Sequence, residues 1–296
     1  MNCYNAEKYL DEAIQSVLKQ KYQNWEIIFW DNASTDTSAT IVKSYLDKRI
    51  KYFKGTNNVV VSKARNYALE KCSAEFIAFL DCDDVWLPDK LAQQIPLFED
   101  TNIGLVFSNS IFFKNDGYQR KNYRYLKPVE GNSFHSLLKR YYLDIETVVI
   151  RKSVLEKNDL KFHDNLDYTS DAHLFIKVAY FSKTAYSPHI LAKWRIHENQ
   201  QSYLYYEGFL KEFKYMLDDI EKIIDIKDKV NLNAITKARI TVSLKMTYFY
   251  WGKENSAKAR NILKLIPSWD YRCFIIFNLT YLVPFKIIQS IVNIIR

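Results

Sequence analysis

One stretch of the sequence restricts the fold more than any other. Five apolar residues, Phe76–Leu80, run directly into a turn that carries three carboxylates, Asp81, Asp83 and Asp84. The run is too short and too uniformly apolar for a surface helix, and it predicts a strand that is buried on both faces. The acidic residues are then expected at the point where this strand ends.

Three carboxylates on one turn repel one another, so such an arrangement is usually stabilised by a bound cation or by exposure to solvent. Oxygen ligands alone favour a hard ion, Mg²⁺ or Mn²⁺. The alternative is that Asp83 and Asp84 only cap the helix that follows. The sequence of this turn is therefore compatible with a metal site and with a helix cap.

Helical and strand patterns alternate around this strand. A helical stripe within residues 5–20 precedes the apolar run Trp25–Trp30, and a second helical stripe follows the polar loop that begins at Asp31. The same order continues to about Ser108, which predicts an α/β fold with a mainly parallel, doubly wound sheet. Ligands bind at the carboxyl ends of the strands in such sheets, where we expect both Asp31 and Asp81.

The start of the sequence departs from this pattern. Met1 to Asn5 lead straight into the first helix, at a place where a doubly wound domain has an apolar strand. We therefore expect a sheet whose first strand is absent or truncated. The other explanation is that the start of the sequence has been placed too late.

The composition excludes several classes of protein. The 296 residues are 48% hydrophobic and 26% charged and include six Gly and six Pro, as in an ordinary globular chain. The four cysteines are far apart and form no CxxC pair, which argues against a structural zinc site and a disulfide framework: Cys3, Cys72, Cys82 and Cys273. We expect reduced thiols in the cytoplasm, because no signal-peptide pattern opens the sequence.

The positive charge is concentrated at the C-terminal end. Residues 229–296 contain eleven Lys or Arg against two acidic residues, a net charge of +9, whereas the whole chain carries +8. The final stretch, 273–295, is strongly apolar but is interrupted by Pro284, Lys286 and other polar residues. This pattern favours docking on an anionic membrane surface over a spanning helix. We expect no nucleic-acid partner, because the aromatic residues are not interleaved with the basic ones.

Four motifs, in this order, resemble glycosyltransferase family 2 with its GT-A fold. They are Tyr4–Leu10, Asp31–Asp36, Ala64–Asn66, and Leu80–Asp84 followed by Trp86 and Pro88–Leu91. Farther along, Val148–Leu155 and Ser170–Leu174 resemble the acceptor half of the family, and Trp194–His197 resembles its closing segment. We therefore expect a catalytic domain over residues 1–203 and a helical, basic, membrane-associating region over residues 204–296.

The resemblance implies a role for each candidate residue. Those implied to bind the nucleotide-sugar are Tyr4, Asp31, Arg65 and Asp81, with Asp31 on the base and Asp81 on the ribose or a metal-bound water. Asp83 would bind the Mn²⁺ or Mg²⁺ ion, and Asp171 matches the catalytic base. Arg65 and His197 are candidates for diphosphate contacts, with a purely structural pairing as the alternative for each.

Next to Asp171, the sequence differs from the family. Ser170 and His173 replace two acidic neighbours that would raise the pKa of the base by like-charge repulsion. His173 is expected either to hydrogen-bond Asp171 or to face solvent.

Taken together, the resemblance implies an inverting, metal-dependent transfer of a sugar from a UDP- or dTDP-sugar to a glycan or lipid-linked acceptor. The expected setting is bacterial surface-polysaccharide assembly, with the protein peripherally bound to the cytoplasmic face of the cell membrane. Two alternatives remain open. One is a non-catalytic, nucleotide-sugar-binding or scaffold member of the same fold. The other is a haloacid dehalogenase-type phosphatase, whose first motif also resembles the segment at Asp81 but lies on the leading strand.

Overall fold

The structure is a computed structural model, and it describes residues 1–124, 126–198, 205–266 and 271–285. The chain divides into two compact units, one made of residues 1–137 and 141–200, the other of residues 138–140 and 201–296. Both β-sheets lie in the first unit. The second unit is helical.

The first third of the chain alternates short strands with helices, as the sequence pattern predicts. In chain order these elements are β1 (Asn2–Cys3), α1 (Leu10–Leu18), β2 (Ile27–Asp31), α2 (Ser38–Ser44), β3 (Ile50–Lys54) and α3 (Val61–Leu69). The three strands form a parallel sheet in the order β1-β2-β3. Helix α1 buries the predicted apolar stripe, which comprises Leu10, Ala13, Ile14 and Val17.

A second sheet is built from six strands of mixed direction. The elements are β4 (Phe76–Ala78), β5 (Val85–Trp86), α4 (Lys90–Gln94), a 3₁₀ turn (Ile95–Glu99), β6 (Ile103–Phe113), β7 (Gln119–Lys121), α5 (Phe134–Lys139), a 3₁₀ turn (Ile145–Thr147), β8 (Val149–Arg151), α6 (Lys152–Lys157), α7 (Ser170–Phe181) and β9 (Lys183–Arg195). The strand order is β4-β8-β6-β9-β5, with β7 paired to β6. Strands β6 and β9 run parallel to each other, whereas β4, β7 and β8 each pair in an antiparallel direction.

The strand predicted over Phe76–Leu80 is shorter in the structure. It pairs residue by residue with β8, and it ends at Ala78 opposite Val149, where β8 itself begins. The acidic turn therefore follows two apolar residues, Phe79 and Leu80, that are buried without being part of the ladder.

The first strand of the sheet is short. It is two residues long, and it pairs with β2 through Asn2 opposite Trp30 and Cys3 opposite Asp31. The Met1 ammonium group donates a hydrogen bond to the Ile28 carbonyl oxygen at 2.9 Å, and burial lowers its pKa. Beside it, a cavity of about 600 Å³ lies between β2 and β4 and is lined largely by apolar side chains such as Ile27 and Ile77.

The second unit consists of helices, and the last three of them share an apolar core. Its elements are α8 (Tyr206–Glu221), α9 (Lys229–Gly252), α10 (Ser256–Lys264) and α11 (Tyr271–Leu282). Asp228 and Asn255 cap the starts of α9 and α10 through their side chains. The buried core includes Trp251, Ala259, Leu263 and Cys273.

No helix within the described residues is both long enough and apolar enough to cross a membrane. The apolar stretch that the sequence places over 273–295 continues beyond residue 285, and that part lies outside the described residues. On α11 itself, several large apolar side chains are exposed: Phe274, Ile275, Tyr281 and Leu282.

Gly104 at the start of β6 provides a test of this packing. A Cβ at this position would lie 2.1 Å from Ser182 Oγ and 2.9 Å from Val154 Cγ2. We expect Gly104→Ala to lower the free energy of unfolding by about 1–3 kcal/mol in urea titrations, because the side chain overpacks this site. Gly55→Ala, whose Cβ would have an ordinary 3.4 Å contact, is the control. The packing would be misassigned if Gly104→Ala had no effect, or if adding Ser182→Gly gave no recovery.

Candidate active site

Arg65 connects the acidic turn with the start of α7. Its Nη2 atom lies 3.2 Å from Asp81 Oδ1 and 3.3 Å from Asp81 Oδ2. Its Nη1 atom donates to Ser170 Oγ at 3.1 Å, one residue before the predicted base Asp171. The structural pairing expected for Arg65 is therefore present. This one guanidinium brings the segments that carry Asp81 and Asp171 to the same place.

Asp83 is paired with His197, a residue 114 positions away in the sequence. The distance between His197 Nε2 and Asp83 Oδ2 is 2.9 Å. Burial raises the pKa of Asp83, as does the charge of Asp81, while the hydrogen bond to His197 lowers it. About a third of the Asp83 side chain stays accessible. This leaves a partly open carboxylate and an imidazole side by side.

Asp83 and His197 fit two adjacent ligands of a divalent cation. Two neighbouring ligands of an octahedral ion with bonds of about 2.1 Å lie about 3.0 Å apart, close to the separation of these two atoms. No group of three His, Cys, Asp or Glu side chains arranged for a metal occurs among the described residues. Any cation held here would take its remaining ligands from substrate oxygens and water, as Mg²⁺ commonly does.

The helix-capping alternative for this turn is wrong. Helix α4 begins after Asp89, and no side chain caps it. The Asp84 carboxylate instead accepts a hydrogen bond at 2.8 Å from the backbone N–H of Arg195. Because Asp83 and Asp84 both bond to the segment around β9, the turn is fixed by tertiary contacts.

Arg195 is a structural anchor of the site that the sequence reasoning did not single out. Its side chain is 3% exposed and is flanked by the rings of Tyr9 and Phe113, each 4.4 Å from the guanidinium carbon. Its Nε atom donates to the Asp83 carbonyl oxygen at 2.8 Å, and one terminal nitrogen donates to Glu12 at 2.5 Å. No local sequence pattern marks Arg195, because its burial and its contacts with the turn arise only in the folded chain.

Asp31 lies at the end of β2, as predicted, but its side chain is fully buried. Its Oδ1 atom accepts the Ser34 N–H at 2.7 Å, and its Oδ2 atom accepts the Tyr52 hydroxyl at 2.6 Å. The burial of Tyr52 and its bond to Asp31 raise the pKa of the phenol. Tyr4, by contrast, is 49% exposed, as a ring available for stacking would be. Contact of Asp31 with a nucleotide base stays a prediction.

Asp171 lies in the first turn of α7, where the helix dipole favours a carboxylate. Its Oδ2 atom accepts a hydrogen bond from the Tyr141 hydroxyl at 2.8 Å. Burial raises the pKa of Asp171, and the positive charge of Arg65 acts in the opposite direction. Asp171 is therefore a half-buried carboxylate with one oxygen bonded to Tyr141, directly after the residue that Arg65 holds.

His173 does not face solvent, so that part of the expectation is wrong. It is 1% exposed, and its ring packs edge-on against His163 with the centroids 5.5 Å apart. Its position on the inner side of α7 fits the helical spacing, since Ser170 and Ile176, three residues away on either side, are buried too.

Two buried acids, Asp84 and Glu146, and the half-buried Asp144 lie beneath the site, and the sequence reasoning missed Asp144 and Glu146. Burial and mutual repulsion raise the pKa of Asp84 and of Glu146 well above the usual range. Burial also raises the pKa of Asp144 to about 6, even though Ser110 and Asn122 both donate to it. Neither Asp144 nor Glu146 belongs to an acidic motif, so only the fold could bring them close to Asp84.

Comparisons with known proteins agree with this architecture. The family model for glycosyl transferase family 2 matches residues 1–158, more than half of the chain. The glucosyltransferase WfgD of Escherichia coli, named UDP-Glc:alpha-D-GlcNAc-diphosphoundecaprenol beta-1,3-glucosyltransferase, is 34% identical over 168 residues, which cover 57% of this chain and 65% of WfgD. An uncharacterised glycosyltransferase of Methanocaldococcus jannaschii is 32% identical over 69% of this chain and 71% of its own length. The chain thus spans just under two thirds of WfgD.

Solved structures show a similar fold. TarS from S. aureus, in complex with UDP-GlcNAc, has a TM-score of 0.66 and 19% identity over 90% of this chain and 80% of TarS. The mannosyltransferase PcManGT from Pyrobaculum calidifontis, in complex with GDP-Man and Mn²⁺, has a TM-score of 0.63 and 15% identity over 98% of this chain and 81% of PcManGT. These likenesses concern the fold alone, and they confirm the predicted GT-A fold.

The role of Arg195 can be tested by comparison with Arg151, a second arginine whose guanidinium donates to two backbone carbonyl oxygens. Lysine cannot reproduce the planar set of donors, so we expect Arg195→Lys to lower the free energy of unfolding by at least about 2 kcal/mol. We also expect it to weaken Mn²⁺ binding in calorimetry, because the Asp83 backbone loses its support. Arg151→Lys, which disrupts a similar fork on the Ile103 and Phe98 carbonyl oxygens, is the control. Equal loss of Mn²⁺ binding in both variants would contradict this role.

Proposed function

This chain belongs to glycosyltransferase family 2, and we propose that it transfers a sugar from a UDP- or dTDP-sugar to an acceptor hydroxyl, inverting the anomeric centre. The observation that carries the proposal is the bridge made by Arg65, which bonds Asp81 on one side and Ser170 on the other. This bridge supports the proposal because it brings Asp81, the proposed donor-side carboxylate, near the residue that directly precedes Asp171, the proposed base. In-line attack would use a donor-side group and a base on opposite sides of the anomeric carbon.

On the donor side, we propose that Asp81 binds the ribose or a metal-bound water and that Tyr4 and Asp31 contact the base. Asp83 and His197 would hold a Mn²⁺ or Mg²⁺ ion. Such an ion, when bound, neutralises the negative charge that develops on the leaving nucleoside diphosphate. Each oxygen of the fully buried Asp31 carboxylate already accepts one hydrogen bond from the chain, so its contact with a base requires a shift of the residues that cover it when the donor binds.

On the acceptor side, Asp171 would remove the proton from the attacking hydroxyl as that oxygen bonds to the anomeric carbon. A general base works best when its pKa lies near the operating pH, and burial moves the pKa of Asp171 upwards in that direction. The Tyr141 bond fixes the orientation of the carboxylate. The Ser170 hydroxyl accepts a hydrogen bond from Arg65. An acidic residue at this position would form an ion pair with Arg65 instead.

For the acceptor, we propose a lipid-linked glycan in bacterial surface-polysaccharide assembly at the cytoplasmic face of the membrane. The name of WfgD specifies a UDP-glucose donor and a diphosphoundecaprenol-linked acceptor, and this supports the same substrate classes here. The non-catalytic alternative stays open as a second candidate, because Asp171 has Ser170 and His173 as its neighbours instead of acids. The phosphatase alternative is wrong, since the chain has the fold and the family of a glycosyltransferase.

For residues 204–296, we propose docking on the membrane surface, with residues 1–203 as the catalytic domain. Helix α11 exposes an apolar face at helical spacing that comprises Phe274, Ile275, Tyr281 and Leu282. Basic residues lie at its edge: Arg272 is exposed, and the Arg260 guanidinium lies over the Tyr281 ring at 4.0 Å. An apolar face bordered by cations fits the interface of a bilayer with anionic lipids.

The two carboxylates with separate roles give the first test of the proposal. We expect Asp171→Asn to reduce kcat by about 10²–10⁴-fold while UDP binding persists, because only proton removal is lost. We expect Asp83→Asn to abolish Mn²⁺-dependent UDP binding in calorimetry. In the wild type, that binding should weaken as the pH falls through the raised pKa of Asp83, since the protonated carboxyl cannot bind the ion.

The exposed Asp89→Asn variant is the control for charge removal on the neighbouring helix. Turnover is measured with a panel of UDP- and dTDP-sugars and undecaprenyl-diphosphate-linked acceptors. An Asp171→Asn variant with wild-type turnover would refute the catalytic assignment. A wild-type protein that binds UDP yet turns over none of the panel would support the non-catalytic alternative.

The membrane proposal is tested by flotation with vesicles. We expect binding to vesicles that contain phosphatidylglycerol and a loss of about tenfold or more in Phe274→Ser/Ile275→Ser, because burial of each side chain contributes about 1.5–3 kcal/mol. Leu46→Ser, which removes a side chain that is 94% exposed in the first unit, is the control. Equal flotation of all three proteins would refute docking through α11, as would a change in oligomeric mass without a change in flotation.

A further inference from the structure

The strongest unexplained contact in the site is made by Tyr141. Its hydroxyl donates to Asp171 Oδ2 at 2.8 Å, across 30 residues of sequence. Tyr141 lies between α5 and the 3₁₀ turn Ile145–Thr147, and Asp171 lies in the first turn of α7. The contact therefore joins two separate segments at the predicted base.

We propose that Tyr141 is the positioning residue of Asp171, which it holds so that one carboxylate oxygen is fixed and the other faces the acceptor hydroxyl. This inference rests on the proposed role of Asp171 as the base. Tyr141 itself does not exchange a proton with substrate. It acts through the orientation and the basicity of the carboxylate.

Tyr141 is suited to be a permanent donor. Burial raises its pKa well above the ordinary value for a phenol, and the negative charges of Asp171 and Asp144 raise it further. The phenol therefore keeps its proton at any pH at which the protein is folded and active. A carboxylate that faces it is always offered the same hydrogen bond.

The other charged groups around Asp171 do not duplicate this contact. Arg65 lowers the pKa of Asp171 by its charge, but its hydrogen bonds go to Asp81 and Ser170. Asp81 acts in the opposite direction through its negative charge, and a backbone hydrogen bond from Ala172 lowers the pKa of Asp171 as the Tyr141 bond does. Asp144 is itself bonded by Ser110 and Asn122, at 2.5 and 2.6 Å, so the Tyr141 proton is left for Asp171.

Removal of the Tyr141 hydroxyl changes the pKa of Asp171 in a definite direction. The ionised carboxylate loses a donor that stabilises it, while the burial that penalises its charge stays the same. The pKa of Asp171 must then rise, by about 1 to 2 for one bond to a charged acceptor. The base becomes protonated at a higher pH, so the acid limb of the rate profile moves upwards.

The test is a pH titration of the full chain with ¹³Cγ-labelled aspartate, followed by NMR, with Asp171 assigned through Asp171→Asn. We expect the pKa of Asp171 to rise by about 1 to 2 in Tyr141→Phe. Tyr142→Phe is the matched control, since its hydroxyl contacts Ser136 and the Val129 N–H instead of a carboxylate. Incorporation of 2,3-difluorotyrosine at position 141 preserves the ring and strengthens the donor, so it should lower the pKa.

The same variants are then assayed for turnover. We expect Tyr141→Phe to lower kcat and to shift the acid limb of kcat/KM by the amount seen in the NMR titration, with the KM for the donor unchanged. An unchanged Asp171 pKa in both Tyr141→Phe and the difluorotyrosine protein would overturn the inference. If instead the pKa shifts as expected while Asp171→Asn retains turnover, the positioning contact stands and the proposed function fails.

Discussion

The site depends on one constraint, which is that Arg195 holds the acidic turn in place. The turn from Asp81 to Asp84 has a short ladder on one side, β4, and a two-residue strand on the other, β5. Neither is long enough to hold it. Arg195 ends the thirteen-residue strand β9, whose parallel ladder with β6 makes it a rigid support. Through its backbone N–H and its guanidinium it binds the turn at two points, so the direction of Asp83 follows from the position of β9.

The same region contains more buried negative charge than its hydrogen bonds balance. Both carboxylate oxygens of Glu146 are buried without a hydrogen-bond partner, and the nearby Lys90 is fully buried, with its ammonium 4.4 Å above the Trp86 ring. Burial lowers the pKa of Lys90 to about 7, while the charge of Glu146 raises it. Burial of this kind disfavours the charged forms, because a bare charge at such depth would cost several kcal/mol. The Asp83 carboxylate differs from Glu146 in that it stays partly accessible and has His197 as a partner.

Local pattern was enough to predict the alternating elements and the place of Asp31 and Asp81, since apolar runs and turn residues carry that information. It was not enough for β9, whose sequence mixes Lys183, His189 and Lys193 with apolar residues and shows no clean period. Local sequence pattern also did not predict the hydrogen-bond partners of the site residues. His197 meets Asp83, and Tyr141 meets Asp171, only because β9 and α7 return to the same edge of the sheet. Such pairings are fixed by tertiary structure, which a single sequence does not display.

The cavity between β2 and β4 has a consequence for how the chain behaves in solution. Strand β4 is the last strand of its sheet, and β2 is covered on its β1 side by the Met1 ammonium group and by the two-residue ladder at Trp30 and Asp31. The apolar side chains that line the cavity beside these strands, Ile27, Ile28 and Ile77, are buried. Exposed apolar edges are the usual starting points of intermolecular β-pairing. On this side of the first unit, the protection of the chain against such pairing therefore rests on the burial of these side chains.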